Sequence, residues 1–176
     1  MTSGERSKRI ESAIRKALAY HREVQVRVKK AKGDLGGWRY GYPEGPEASS
    51  DMSVTGWALM FLRSARNAEF EVPKHFFDEG LDFVERCHEA DTTQQEKGVF
   101  RYRPLFSAPN ENPQITLANT ASAMLTLILG GRLQHPGLAD GVRWFRSRDY
   151  PKPWEYGYFY LGSYYSSQAM AQVGGD

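Results

Sequence analysis

Residues 49–62, SSDMSVTGWALMFL, run from a polar stretch rich in Pro and Gly into a segment apolar on nearly every side. Wound as a helix, Val54, Trp57, Ala58, Phe61, Leu62 and Ala65 form one face, while Met52, Leu59 and Met60 fill the other. A helix apolar all round belongs in an interior layer, because no side of it gains from facing water. Residues 115–129 have the same character, and Gly130-Gly131 closes them as a helix C-terminus. Other segments carry only a stripe: Ile10, Ala13, Ile14, Ala17 and Leu18; then Phe77, Leu81 and Val84; then Leu138, Val142 and Phe145. Pro73 and Pro136 sit near the starts of the second and third of these, where a missing N–H costs little. The pattern predicts striped outer helices packed on fully apolar inner ones.

The two kinds of segment alternate in a repeated unit. Three blocks share the form aromatic–charged–Tyr: Trp38-Arg39-Tyr40, Phe100-Arg101-Tyr102 and Trp154-Glu155-Tyr156, spaced 62 and 54 residues apart. Before them stand KALAYHREVQ, EGLDFVERCH and DGVRWFRSRD, in which Ala17, Gly80 and Gly141 precede Tyr20, Phe83 and Trp144 by three residues. After them come VTGWALMFL, NTASAMLTL and YYSSQAM, which align Thr55, Thr120 and Ser166, and Ala58, Ala123 and Ala169. The unit is helix, aromatic loop, helix. We therefore expect a single all-α domain over 1–176 with hairpin units near 8–66, 74–130 and 136–172. Inner helices are placed near 51–66, 116–130 and 162–172, outer ones near 8–26, 74–90 and 136–148.

Lys16, Ala17, Tyr20 and Gln25, followed by Gly36-Gly37-Trp38, resemble the QW repeat of squalene and oxidosqualene cyclases. That repeat reads Lys/Arg, Gly/Ala, two variable residues, an aromatic, an aliphatic, three variable residues, Gln, then Gly-x-Trp. His21 stands at the aliphatic position, and His88 and Asp149 replace Gln in the second and third copies. The resemblance covers about residues 10–175 and implies the α/α toroid of triterpene cyclases and protein prenyltransferases. There the second helix of each pair lines an apolar cavity. Three hairpins make an incomplete toroid, so the chain is expected to be part of a longer protein or to pair with a second copy. The tyrosines 158, 160, 164 and 165 are the expected contact of such a homodimer.

The resemblance also raises a catalytic candidate. Bacterial cyclases of this family carry Asp-x-Asp-Asp-Thr at an inner-helix start, and the middle Asp protonates the polyene. Asp51-Met52-Ser53-Val54-Thr55 keeps the first acid and the threonine, but Ser53 stands at the proton donor and Val54 at the third acid. A serine hydroxyl cannot protonate an alkene. Asp51, beside Ser49 and Ser50, reads as an N-cap, with catalysis as the rival role. The aromatics Trp38, Tyr40, Trp57, Phe100, Tyr102, Trp154 and Tyr156 are the expected lining of an isoprenoid or other hydrophobic ligand site, or else packing between hairpins. The expectation is a prenyltransferase- or squalene-cyclase-like repeat domain that binds without a catalytic acid of its own; the alternative is a cyclase or transferase completed by residues elsewhere.

Other chemistries find little footing. Cys87 is the only cysteine, and with His88 and His75 it does not have the spacing of a zinc site, so no metal or cofactor is expected. Phosphate loops, nucleophile elbows and His-Glu-x-x-His are missing from the sequence. Residues 1–32 carry ten Lys/Arg against three Glu, so the rest of the chain is acidic. That basic segment reads as a solvated outer face, not a nucleic-acid or membrane surface. Neither a membrane-length apolar run nor a signal-peptide core is seen, and the lone cysteine fits a reducing compartment, so a cytoplasmic location is expected.

Overall fold

The computed structural model describes residues 3–41, 48–93, 98–107, 114–147 and 158–174. These form six α-helices: α1 Ser3–Val26, α2 Met52–Asn67, α3 Lys74–Arg86, α4 Leu117–Leu129, α5 Pro136–Arg146 and α6 Phe159–Val173. Short 3-10 turns at Lys32–Asp34 and Leu105–Ser107 punctuate the connections, and only isolated bridges join extended residues. The all-α class and the order of helices agree with the sequence pattern.

Each of the three central helices has a local reason to start where it does. Asp51 caps α2 by accepting from Val54 N–H at 2.9 Å, and Thr116 caps α4 by accepting from Asn119 N–H at 3.1 Å. α6 begins after Tyr158, which takes the left-handed conformation at φ 64°. At its far end α4 closes on Gly130 and Gly131, the latter at φ 77°, with Arg132 N–H bonded back to Leu127 O at 2.9 Å. Three boundaries differ most from expectation, the first being α1, which begins at Ser3, five residues before the expected start at 8. α3 stops at Arg86 instead of running to 90, because the backbones of Cys87 and Glu89 pair with the extended segment around Phe100. Arg101 N–H reaches Cys87 O at 2.8 Å, and Glu89 N–H reaches Val99 O at 2.9 Å. α6 begins three residues earlier than expected, at Phe159.

α4 is the centre of the molecule. Every residue from Ala118 to Leu127 is buried, and the helix packs most extensively on α6, then on α2, α5 and α3. Full burial of Met124 and Leu127 contributes about 1.5–3 kcal/mol each. α2 shares this core through Met52, Ala58, Leu59, Leu62 and Ala65, but Trp57 is 42% exposed, contrary to the expectation that it would be buried. α1 departs further. Ile14 and Leu18 are half-buried against the core, but Ile10 is 54% exposed and Ala13 lies open, because α2 is the one helix α1 packs on appreciably.

The aromatic loops are tied to the inner helices by one device used twice. Thr55 Oγ1 accepts from Trp38 N–H at 3.0 Å. Thr120 Oγ1 accepts from Val99 N–H at 2.9 Å and from Phe100 N–H at 3.4 Å. One helical turn beyond each threonine, an apolar side chain enters a glycine notch on the next outer helix. A Cβ on Gly80 would fall 2.8 Å from Leu59 Cδ2, and one on Gly141 would fall 2.3 Å from Met124 Sδ. Gln25 and His88 also do parallel work. Gln25 Nε2 donates to Gly36 O and to Phe76 O, both at 3.0 Å, and so fastens α1 to the loop and to α3. His88 Nε2 stands 3.0 Å from Asp140 Oδ2 and joins the end of α3 to α5.

The threonine device gives a direct expectation. Thr120→Val keeps the shape but leaves two loop N–H groups without their acceptor in a fully buried place, and should cost about 1–3 kcal/mol. Thermal unfolding should show a fall of roughly 2–4 °C per kcal/mol for a chain of this size. Thr120→Ser, which keeps the hydroxyl, should lose distinctly less.

Candidate ligand-binding cavity

At the N-terminal ends of α2, α4 and α6 lies a cavity of about 200 Å³. α2 supplies Ser53 and Trp57, one turn apart. α4 and its approach supply Gln114, Thr116, Ala118, Asn119 and Ser122. α6 adds Tyr158, Leu161 and Tyr165, and the aromatic loops add Tyr40 and Tyr102. Tyr40 meets Trp57 edge to face, with ring centroids 5.8 Å apart at 88°. Trp57 Nε1–H donates to the Tyr165 hydroxyl, which joins α2 to α6 across the opening. The exposure of Trp57 is thus exposure toward this cavity.

Most polar groups around the cavity are engaged. Asn119 Nδ2 donates to Gln114 O at 2.8 Å, and Ser53 Oγ donates to Asp51 Oδ1 at 2.8 Å. Ser122 Oγ is buried and has no hydrogen-bond partner among the described residues. Both Tyr102 and Tyr165 are held above the ordinary phenol range. Burial is the main cause in each case; for Tyr102 the Asp51 carboxylate adds to it.

Asp51 itself is fully buried and does not line the cavity. Its Oδ1 accepts from Ser53 Oγ and Val54 N–H, as an N-cap does, while Oδ2 has no donor at hydrogen-bonding geometry. Asp51→Ala should therefore cost about 0.5–2 kcal/mol, and Asp51→Ser or Asp51→Asn only a fraction of that. Urea unfolding monitored by circular dichroism measures the difference.

Of the seven aromatic candidates, Tyr40, Trp57 and Tyr102 come together on this cavity. Trp38, 2% exposed, and Phe100, fully buried, lie instead in the core, where Trp38 Nε1–H donates to His21 O at 2.8 Å. Trp154 and Tyr156 lie outside the described residues. The sequence reading did not single out Asn119, Ser122 and Leu161. Their signal was the spacing 118/119/122 and 158/161/165, one helical stripe in each case. Tyr158, Tyr160 and Tyr164 are exposed, while Tyr165 is buried.

The chemistry available is that of binding. Among the described residues, the cavity lining contains no Lys, Arg, His, Asp or Glu, and no cluster of three or more metal-ligating side chains occurs. Cys87 is buried, and burial pushes its thiol pKa up, so it is no nucleophile. No described helix is long and apolar enough to cross a membrane. No family model, no curated protein and no solved structure matches the chain.

Proposed function

We propose that this is a non-catalytic repeat domain of the α/α toroid type, similar to squalene cyclases and prenyltransferases, which holds a hydrophobic ligand of isoprenoid character where the inner helices begin. The observation that carries the reading is the cavity: five aromatic rings from two helices and two loops around one space, with no acid, base or thiol among the described residues of its wall. Its volume falls below the roughly 300–1,000 Å³ of drug-sized sites, which suits a compact ligand or one end of a longer one. The paired threonine bonds and glycine notches support a hairpin repeat, since chance packing gives no reason for the same register twice.

Titration with a short isoprenoid alcohol, geraniol, tests the binding. Saturable change in tryptophan emission is expected, and it should disappear in Trp57→Phe. Incubation with squalene or farnesyl diphosphate should return both unchanged. A product formed by the unaltered chain and lost in Asp51→Asn would replace this reading with a cyclase or transferase.

A further inference from the structure

We propose that the cavity selects a compact organic cation of the quaternary-ammonium class, a choline-like head group, over a neutral molecule of the same shape and over any phosphate ester. This rests on the reading that the cavity binds a ligand, and replaces the neutral isoprenoid with a charged head group as the preferred occupant. Tyr40, Trp57, Tyr102, Tyr158 and Tyr165 line a space of about 200 Å³, and the perpendicular Tyr40–Trp57 pair makes one corner of it. Aromatic faces carry negative potential and attract ammonium groups placed over them. The Trp57 N–H is already spent on Tyr165, so the indole offers the ligand its ring, not its donor.

Among the described residues, the charge acting most strongly on the lining is negative. No described basic side chain lines the cavity; Arg39 is exposed and outside the lining, and its effect on the Tyr102 phenol is smaller than that of Asp51. Just behind Ser53 stands the fully buried Asp51, close enough to the Tyr102 hydroxyl for its charge to be felt at that phenol. A phosphate would meet that negative charge with nothing to balance it. A quaternary ammonium suits the site for a second reason. It carries no N–H groups and asks for no acceptors, and the polar lining is largely committed: Asn119 to Gln114 O, Ser53 to Asp51, Thr116 to Asn119 N–H. Ser122 Oγ, 3% exposed and without a partner among the described residues, is a buried polar group able to meet a hydroxyl on the ligand.

The test compares choline with 3,3-dimethylbutan-1-ol, its neutral carbon isostere, by calorimetry and by tryptophan emission, with geraniol and phosphate alongside. Choline should bind about 2- to 5-fold more tightly than the isostere, the range expected for a cation over partly exposed aromatic rings. Asp51→Asn, which keeps a good helix cap, should weaken choline and leave the isostere unchanged. Trp57→Leu should weaken choline more than the isostere. Equal binding of choline and isostere overturns the cation inference and leaves the binding reading standing, as does binding of geraniol alone. Failure of choline, isostere and geraniol together, on protein shown to be folded, overturns both. Should Asp51→Asn fail to fold, the choline-to-isostere ratio in the unaltered chain still decides.

Discussion

Replacing Gly36 with alanine should cost at least about 3 kcal/mol and lower the melting temperature by roughly 6–12 °C. Two penalties coincide there. Gly36 sits at φ 81°, where an L side chain adds about 1–2 kcal/mol, and its new Cβ would fall 2.1 Å from Glu79 O, a backbone atom that cannot rotate away. The overlap forces the aromatic loop off α3 and disturbs the Gly36 carbonyl that Gln25 holds. Gly41 is the control: it has a similar φ of 73° but open space around it, so Gly41→Ala should cost only about 1 kcal/mol. If the two variants unfold at the same denaturant concentration, the close packing of loop on α3 is not the source of the effect.

Trp38→Ala should cost about 3–5 kcal/mol, the usual range for removing a large buried aromatic. Its ring lies against Phe76 and His21, and the lost Nε1–H leaves His21 O without its partner. Tyr40→Ala, two residues on and 60% exposed, should scarcely alter stability but should abolish the emission change on ligand addition. The contrast separates the two readings of the aromatic blocks. Ligand-binding loss without unfolding belongs to Tyr40, unfolding to Trp38. A Trp38→Ala protein as stable as the parent would remove Trp38 from the core.

Much of the helical layout was legible because burial leaves its period in the sequence. The all-round apolar character of Ala121 to Leu127 marked a central helix, and Asp51 marked a helix start by chemistry that acts within one turn. What was illegible depended on neighbours. Trp57 and Leu59 are equally apolar in the sequence; one borders the cavity and the other fills the notch at Gly80, a distinction set by the helices around them. Trp38 and Tyr40 occupy the same aromatic block, yet one is buried and one exposed, because the chain bends at Tyr40 just after the Trp38 bridge, where a continuous strand would have put both on one face. The open flank of α1 was equally hidden, since a stripe records which side is apolar and not whether anything covers it. The cavity itself joins residues more than a hundred positions apart, as Trp57 and Tyr165 are, and no local pattern announces such a meeting.

Burial of α4 on every side also sets a clock. Amides along Ala118 to Leu127 meet solvent only when the helices around them come away, so deuterium should enter this stretch at the rate of global opening. The opening turns of α1, exposed from Gly4 to Ala13, should take it up through local fraying long before. α6, whose buried residues are only Gly162, Tyr165 and Ala169, lies between these extremes. The mouth of the cavity is therefore bounded by the slowest and one of the more readily released helices of the fold, and a ligand gripped between Trp57 and Tyr165 would slow the second without touching the first.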